Sequence, residues 1–156
     1  MLNSVVDNPE APVATHLSGA LPAARNPQPA QTLAELLLTH VADRPDAVAV
    51  EDGRSGLTLT NSEFDALSTG LARQLISLGV GPDATVALHL PRSVAATVAT
   101  LAAAKAGAAF VNIDPDYPAA RRRFLVQRSH ARVVVTSRDA ELPGLDDVDV
   151  LYIDDV

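Results

Sequence analysis

The chain has 156 residues, 47% of them hydrophobic and 20% charged, which is typical of a globular protein of one domain. Its formal net charge of −7 argues against nucleic acid as a partner, because phosphate binding requires a basic surface. The absence of cysteine excludes thiolate chemistry, and no apolar run approaches the roughly 20 residues of a membrane span, so we expect a cytoplasmic protein without a membrane partner.

The beginning of the chain lacks the patterns of a folded domain. Residues 1–31 contain five of the 11 prolines and show no hydrophobic periodicity, which predicts a flexible N-terminal segment. The remaining residues, 32–156, are predicted to form part of an α/β domain. Thr32 is a suitable N-cap with Glu35 three residues later, as in a capping box, and the helix that follows ends at Pro45.

The middle of the chain alternates short apolar runs with amphipathic segments. The run 47–50 predicts a strand, and residues 57–59 return as the second arm of a hairpin. A helix follows, with Asn61 or Ser62 as its N-cap. The later predicted elements are strand 85–90, helix 91–106, strand 109–113, a helix with Pro118 in its first turn, strand 132–136 and strand 148–153.

This alternation predicts a mostly parallel sheet with helices on both faces. Ligands of such sheets bind beyond the carboxyl ends of the strands, and Asp114 lies at one such end. The glycine-rich stretch 79–84 matches G-x-G-x-x-A in letters. A dinucleotide-binding loop must leave a strand and begin a helix, however, whereas this stretch ends a helix and enters a strand.

Individual side chains give no convincing site. None of the four histidines is paired with another ligand type in a metal-binding pattern, and His89 is predicted to pack within a strand. The only dense basic cluster, Arg121-Arg122-Arg123, is interpreted as a solvated helix face. We therefore assign no catalytic, cofactor-binding or metal-binding residue to this chain.

An acidic constellation supports an alternative function. Glu51 and Asp52 follow predicted strand 47–50, Asp114 follows strand 109–113, and Thr136 ends strand 132–136, so that their loops would gather at one edge. This arrangement resembles the receiver domains of two-component signalling, where an acidic pair holds Mg²⁺ beside a phosphoryl-accepting aspartate. Receivers carry a lysine after their fifth strand, whereas the only lysine here, Lys105, precedes strand 109–113. A non-enzymatic α/β interaction module is a further alternative.

Three short sequence signatures, which follow one another along the chain, favour a different function from these alternatives. Residues 59–64 (LTNSEF) match Leu-Thr-Tyr-x-Glu-Leu, residues 104–114 match Leu-Lys-Ala-Gly-x-Ala-Tyr-x-Pro-x-Asp, and residues 114–121 match Asp-Pro-x-Tyr-Pro-x-x-Arg. Together they resemble the beginning of an amino-acid adenylation domain of nonribosomal peptide synthetases, in the adenylate-forming (AMP-binding) superfamily. Departures from the family include Asn61, Phe64 and Asn112, and Ala120 stands where the family often has an acidic residue.

The resemblance implies an enzyme that converts ATP and an amino acid, or a related carboxylic acid, into an acyl adenylate and pyrophosphate. A phosphopantetheinylated carrier protein then takes the acyl group as a thioester. ATP and Mg²⁺ would serve the parent enzyme, and the family's phosphate loop, substrate pocket and catalytic lysine come later in its sequence. We therefore expect an N-terminal fragment that is inactive alone, binds no cofactor and has the remainder of the adenylation domain as its partner. Lys105 belongs to an early motif and is not that catalytic lysine.

Overall fold

A computed structural model of the protein describes residues 32–53, 55–140, 142 and 148–155. The predicted N-terminal segment, residues 1–31, lies outside the described residues. The helices and strands are α1 (Leu33–Asp43), β1 (Val48–Glu51), β2 (Thr58–Thr60), α2 (Asn61–Ser77), β3 (Thr85–His89), α3 (Val94–Lys105), β4 (Ala109–Asn112), α4 (Ala119–Ser129), β5 (Ala131–Thr136) and β6 (Asp149–Tyr152).

Four strands form a parallel sheet in the order β4-β3-β5-β6, which confirms the predicted fold class. Leu88 in β3 pairs with Asn112 in β4 and with Val135 in β5, so the carboxyl ends of these strands meet at one edge. The chain leaves β3 towards β4 and then returns past β3 to β5. The strand order therefore reverses between β3 and β5, where ligands of open α/β sheets commonly bind.

The two faces of this sheet carry separate apolar cores, because successive side chains of a strand point to opposite faces. Val86 and Val133 belong to the larger core, which packs against α2 and α3. Ala87 and Val134, the next residues along, belong to the smaller core, which includes Val126 of α4. This alternation places helices on both faces, as predicted.

The first two strands form a separate antiparallel hairpin, in which Val48 pairs with Thr60. The predicted hairpin is therefore confirmed, whereas the expectation that the loop after β1 joins the edge of the parallel sheet is wrong. The connection is closed by the Asp52 N–H, which donates to the Leu57 carbonyl at 2.8 Å. A turn this short permits antiparallel pairing only, because a parallel crossover requires a dozen or more residues.

The N-cap of α2 is Thr60, not Asn61 or Ser62 as predicted. The Glu63 N–H donates to the Thr60 hydroxyl at 3.2 Å, and the Glu63 carboxylate accepts from the Thr60 N–H at 2.8 Å. The bonds from the Thr60 backbone and hydroxyl lower the pKa of Glu63. Asn61 instead is buried and donates to the Arg44 carbonyl at 2.7 Å, which ties α2 to the end of α1.

The capping residues of α1 and α4 can be compared with those predicted from the sequence. The capping box predicted from Thr32 and Glu35 is present at the start of α1. Pro118 stands at the N-cap of α4, one position before the helix that it was predicted to enter. His130 ends α4 in the left-handed conformation, with φ of 51°.

Candidate functional site

A groove of about 480 Å³ lies beside the carboxyl ends of β3 and β4, one strand away from the point between β3 and β5 where the strand order reverses. One wall is the first turns of α3, and the other is the turn after β4 that contains Asp114 and Tyr117. Polar groups from both walls line it, including Arg92, Thr97 and Asn112. The groove is the feature of the described residues that best combines volume, polar groups and position at the strand ends.

His89 and Thr136 form a buried polar pair where β3 and β5 end. The His89 residue is 3% exposed and Thr136 is 0% exposed. The Thr136 hydroxyl donates to the His89 carbonyl at 3.1 Å, and the same oxygen lies 3.1 Å from His89 Nδ1. Because the hydroxyl has only one proton and has donated it to the carbonyl, Nδ1 must be the donor in the second bond.

The opposite ring nitrogen of His89 faces α4. Arg122 Nη1 lies 3.3 Å from His89 Nε2 and 3.2 Å from the Pro115 carbonyl oxygen. A guanidinium only donates, so Nε2 accepts and His89 is the neutral tautomer with its proton on Nδ1. Arg122 therefore turns inward, unlike the solvated face predicted for the three arginines, while Arg121 and Arg123 are exposed.

The pKa of His89 lies below that of an ordinary histidine. Burial is the first cause, because it disfavours the charged ring, and the positive charge of Arg122 is the second. Asp114 acts in the opposite direction. These effects agree with the neutral ring that the hydrogen bonds require.

The structure does not bring the three carboxylates of the receiver-like alternative together. Glu51 and Asp52 belong to the β1–β2 hairpin and line a different cavity, of about 210 Å³, with Arg92. Asp114 caps its own turn, where its Oδ1 accepts from the Asp116 N–H at 3.0 Å. Among the described residues, no group of three histidine, aspartate or glutamate side chains could hold a metal ion. Nothing in the described structure supports the receiver-like function.

Lys105 connects two helices and does not line the groove. Its ammonium forms an ion pair of 2.6 Å with Asp65 Oδ1 and donates to the Asp65 carbonyl at 3.0 Å. The hydroxyl oxygens of Ser68 and Thr69 each lie 2.8 Å from the same nitrogen, so its three N–H groups are shared among four acceptors. These bonds fix the end of α3 against the first half of α2, so the lysine has a structural role here. We call this set of four residues the Lys105 anchor.

The sequence did not reveal the network around His89. Its members come from β3, the turn after β4, α4 and β5, and Thr136 lies 47 residues from His89. The one available signal was His89 itself, a titratable side chain in an apolar strand, which was predicted to be packed. Within the described part of the chain, no helix combines the length and apolar character needed to cross a bilayer.

Comparison with known sequences gives one family model and several relatives that agree with one another. The sequence model of the AMP-binding enzyme family matches residues 37–154. Nonribosomal peptide synthetase 8 of Aspergillus fumigatus is 42% identical over 147 residues, which cover 87% of this chain and 2% of that protein. The dimodular nonribosomal peptide synthase of Bacillus subtilis is 39% identical over 129 residues, covering 81% of this chain and 5% of that protein.

Two solved structures have the same fold over most of the chain. O-succinylbenzoate coenzyme A synthetase (MenE) from Bacillus subtilis, in complex with AMP, has a TM-score of 0.70 at 21% identity. The N-terminal subdomain of Klebsiella oxytoca NpsA has a TM-score of 0.69 at 22% identity. The matches cover 80% and 81% of this chain but 32% of each neighbour, so the chain spans about a third of those two structures.

Proposed function

The chain belongs to the AMP-binding enzyme family, and from that premise we propose that it forms the first part of an enzyme that activates an amino acid as an adenylate. In the first half-reaction a carboxylate oxygen attacks the α-phosphorus of ATP, and pyrophosphate leaves. In the second, the phosphopantetheine thiol of a carrier protein attacks the acyl carbon, and AMP leaves. A related carboxylic acid could replace the amino acid as substrate.

The observation that carries this proposal is the similarity to nonribosomal peptide synthetases over most of the chain, at 42% and 39% identity. The three signatures also have structural roles in this fold. Thr60 and Glu63 form the capping box of α2, Lys105 anchors α3 to α2, and Asp114 caps the turn before α4. In this proposal the chain supplies structural framework of the enzyme that carries out the reaction.

We place ATP, Mg²⁺ and the amino-acid pocket in parts of the enzyme beyond residues 32–156. The described residues offer no set of three acidic or histidine side chains for a metal ion, and the polar groups around His89 and Lys105 are occupied by internal hydrogen bonds. The proposed partners are the remainder of the adenylation domain and a carrier protein. We also propose that residues 1–31 are a flexible segment that precedes this domain. We further propose that the protein is cytoplasmic.

Isothermal titration of the 156-residue chain with Mg·ATP tests the assignment of roles. We expect no heat of binding at micromolar nucleotide, because this chain contributes framework only. A longer polypeptide that continues past residue 156 is the matched positive control and is expected to bind. Low-micromolar binding of Mg·ATP by the 156-residue chain would contradict the proposal.

A further inference from the structure

We propose that His89 is a positioning residue: in its neutral form it holds the turn of residues 114–118, and so one wall of the groove beside α3, through Arg122. Neither the AMP-binding family match nor the proposed reaction assigns a role to this residue. The inference depends on the hydrogen bonds of the described residues alone, so it stands whether or not the proposed function is correct.

The hydrogen bonds form one directed chain from β5 to the turn. Thr136 donates to the His89 carbonyl, which leaves His89 Nδ1 as the donor to Thr136 and Nε2 as an acceptor. Arg122 Nη1 carries two N–H groups, one for His89 Nε2 at 3.3 Å and one for the Pro115 carbonyl at 3.2 Å. One nitrogen atom therefore joins the imidazole ring to the turn.

This connection is one of the contacts that hold α4 and its turn against the sheet. Val126 is the only buried residue of α4, so the helix adds little apolar contact to the sheet. The turn carries Asp114 and Tyr117, which line the groove, and both residues are exposed. The hydrogen bond of 3.2 Å from Arg122 to the Pro115 carbonyl therefore links this wall of the groove to α4 and, through the same nitrogen, to His89.

Protonation of His89 is expected to break the connection. A proton on Nε2 would set an N–H group against the Arg122 N–H, replacing an attraction with a repulsion. Among the described residues, the charged groups that face the ring are Arg122 and Arg123 from α4 and Asp114 from the turn, while β5 contributes the uncharged Thr136. Burial of the ring and the charge of Arg122 disfavour an imidazolium, and Asp114 only partly offsets them, so the pKa of His89 is lowered.

The direction of the pH dependence follows from the lowered pKa of His89. A histidine with a lowered folded-state pKa contributes stability that is complete above the pKa of a free histidine, about 6.5. That contribution is lost as the pH falls below this value towards the lowered pKa of the folded state. Within the folded protein the turn is expected to be released only as His89 itself takes up a proton, which its lowered pKa places below the value of a free histidine.

Fluorine NMR of the 156-residue chain labelled with 3-fluorotyrosine tests this directly, because the sequence has only two tyrosines. Tyr117 reports on the turn, whereas Tyr152 lies beside the network, because it pairs with Thr136 in the sheet. Between about pH 8 and about pH 5, the Tyr117 resonance should shift in step with the protonation of His89, which the ¹⁵N shifts of the His89 ring follow directly. The ¹⁵N shifts of the His89 ring at high pH should show the proton on Nδ1.

A pair of variants separates positioning from simple packing. His89→Gln can place a non-titrating acceptor near the Nε2 position, so the Tyr117 resonance should stay at its neutral-pH value throughout. His89→Asn is too short to reach Arg122, so Tyr117 should show the acid value at every pH. His130→Asn, at an exposed left-handed position that asparagine tolerates, is the control and should leave the titration unchanged.

Three results would overturn the inference. The first is a Tyr117 resonance that does not move in the unmodified protein while His89 titrates. The second is a proton found on Nε2 at neutral pH. The third is identical behaviour of His89→Gln and His89→Asn. If either variant fails to fold, the first two measurements on the unmodified chain still decide the question, and neither of them involves ATP or an amino acid.

Discussion

Replacing Lys105 by methionine should lower the free energy of unfolding by about 3 kcal/mol, since it removes one partner of a charged hydrogen-bonded network. The Lys105 side chain is 11% exposed and that of Asp65 is 26% exposed, so water only partly replaces the lost bonds. The substitution keeps the apolar stem but leaves the Asp65 carboxylate and the buried Ser68 hydroxyl without the ammonium. Urea denaturation, followed by circular dichroism, measures the loss.

Arg73→Met is the matched control, because Arg73 is an exposed cation on α2. It should change the free energy of unfolding by no more than about 0.5 kcal/mol. A double-mutant cycle of Lys105→Met with Asp65→Asn should show a coupling energy of at least about 1 kcal/mol. If Lys105→Met costs no more than the control, the Lys105 anchor does not stabilise the fold.

Proline at residue 111 should destabilise the protein by about 3 kcal/mol, whereas proline at residue 112 should be close to neutral. Ala109 donates its N–H to the Ala84 carbonyl and Ile113 donates to the Leu88 carbonyl, both at 2.9 Å. Backbone N–H groups that point towards one neighbouring strand recur at every second residue. The Val111 N–H therefore also points towards β3, and the Asn112 N–H points to the open side of β4. Val111→Pro therefore leaves a carbonyl of β3 unpaired, and Asn112→Pro does not.

The two proline variants control for each other, since both stiffen the unfolded chain to the same extent. Urea denaturation of both, under the same conditions, gives the difference in their free energies of unfolding. Equal losses would contradict the register assigned to β4. The adenylation-domain signature has proline where this chain has Asn112, and a position at the outward side of an edge strand accommodates either residue.

The order of helices and strands was predictable because each element is encoded locally. Apolar periodicity gave the parallel sheet, and the stretch from Gly79 to Pro82 was correctly interpreted as a helix stop. Gly79 has φ of 78° and follows α2, where its N–H donates to the Ile76 carbonyl at 2.9 Å. The N-cap of α2 was missed because Thr60, Asn61 and Ser62 are all good caps, and only the Glu63 carboxylate reaching back selects Thr60.

The polar network was not predictable, because it depends on which residues the fold brings together. His89 and Arg122 lie 33 residues apart, and His89 and Thr136 lie 47 residues apart. The arginine cluster looked uniformly solvated, yet the helix rotates Arg122 towards the sheet and its two neighbours outward. Asp114 and Glu51 looked like members of one acidic site, and the β1–β2 hairpin separates them. Long-range pairing decided each of these outcomes.

Amino-acid-dependent exchange of labelled pyrophosphate into ATP tests the central claim most directly. The polypeptide that continues past residue 156 should exchange label only when a particular amino acid, or a related carboxylic acid, is added. The 156-residue chain alone should give no exchange above a protein-free blank. Exchange catalysed by the 156-residue chain, or a longer polypeptide that responds to no amino or carboxylic acid, would contradict this account.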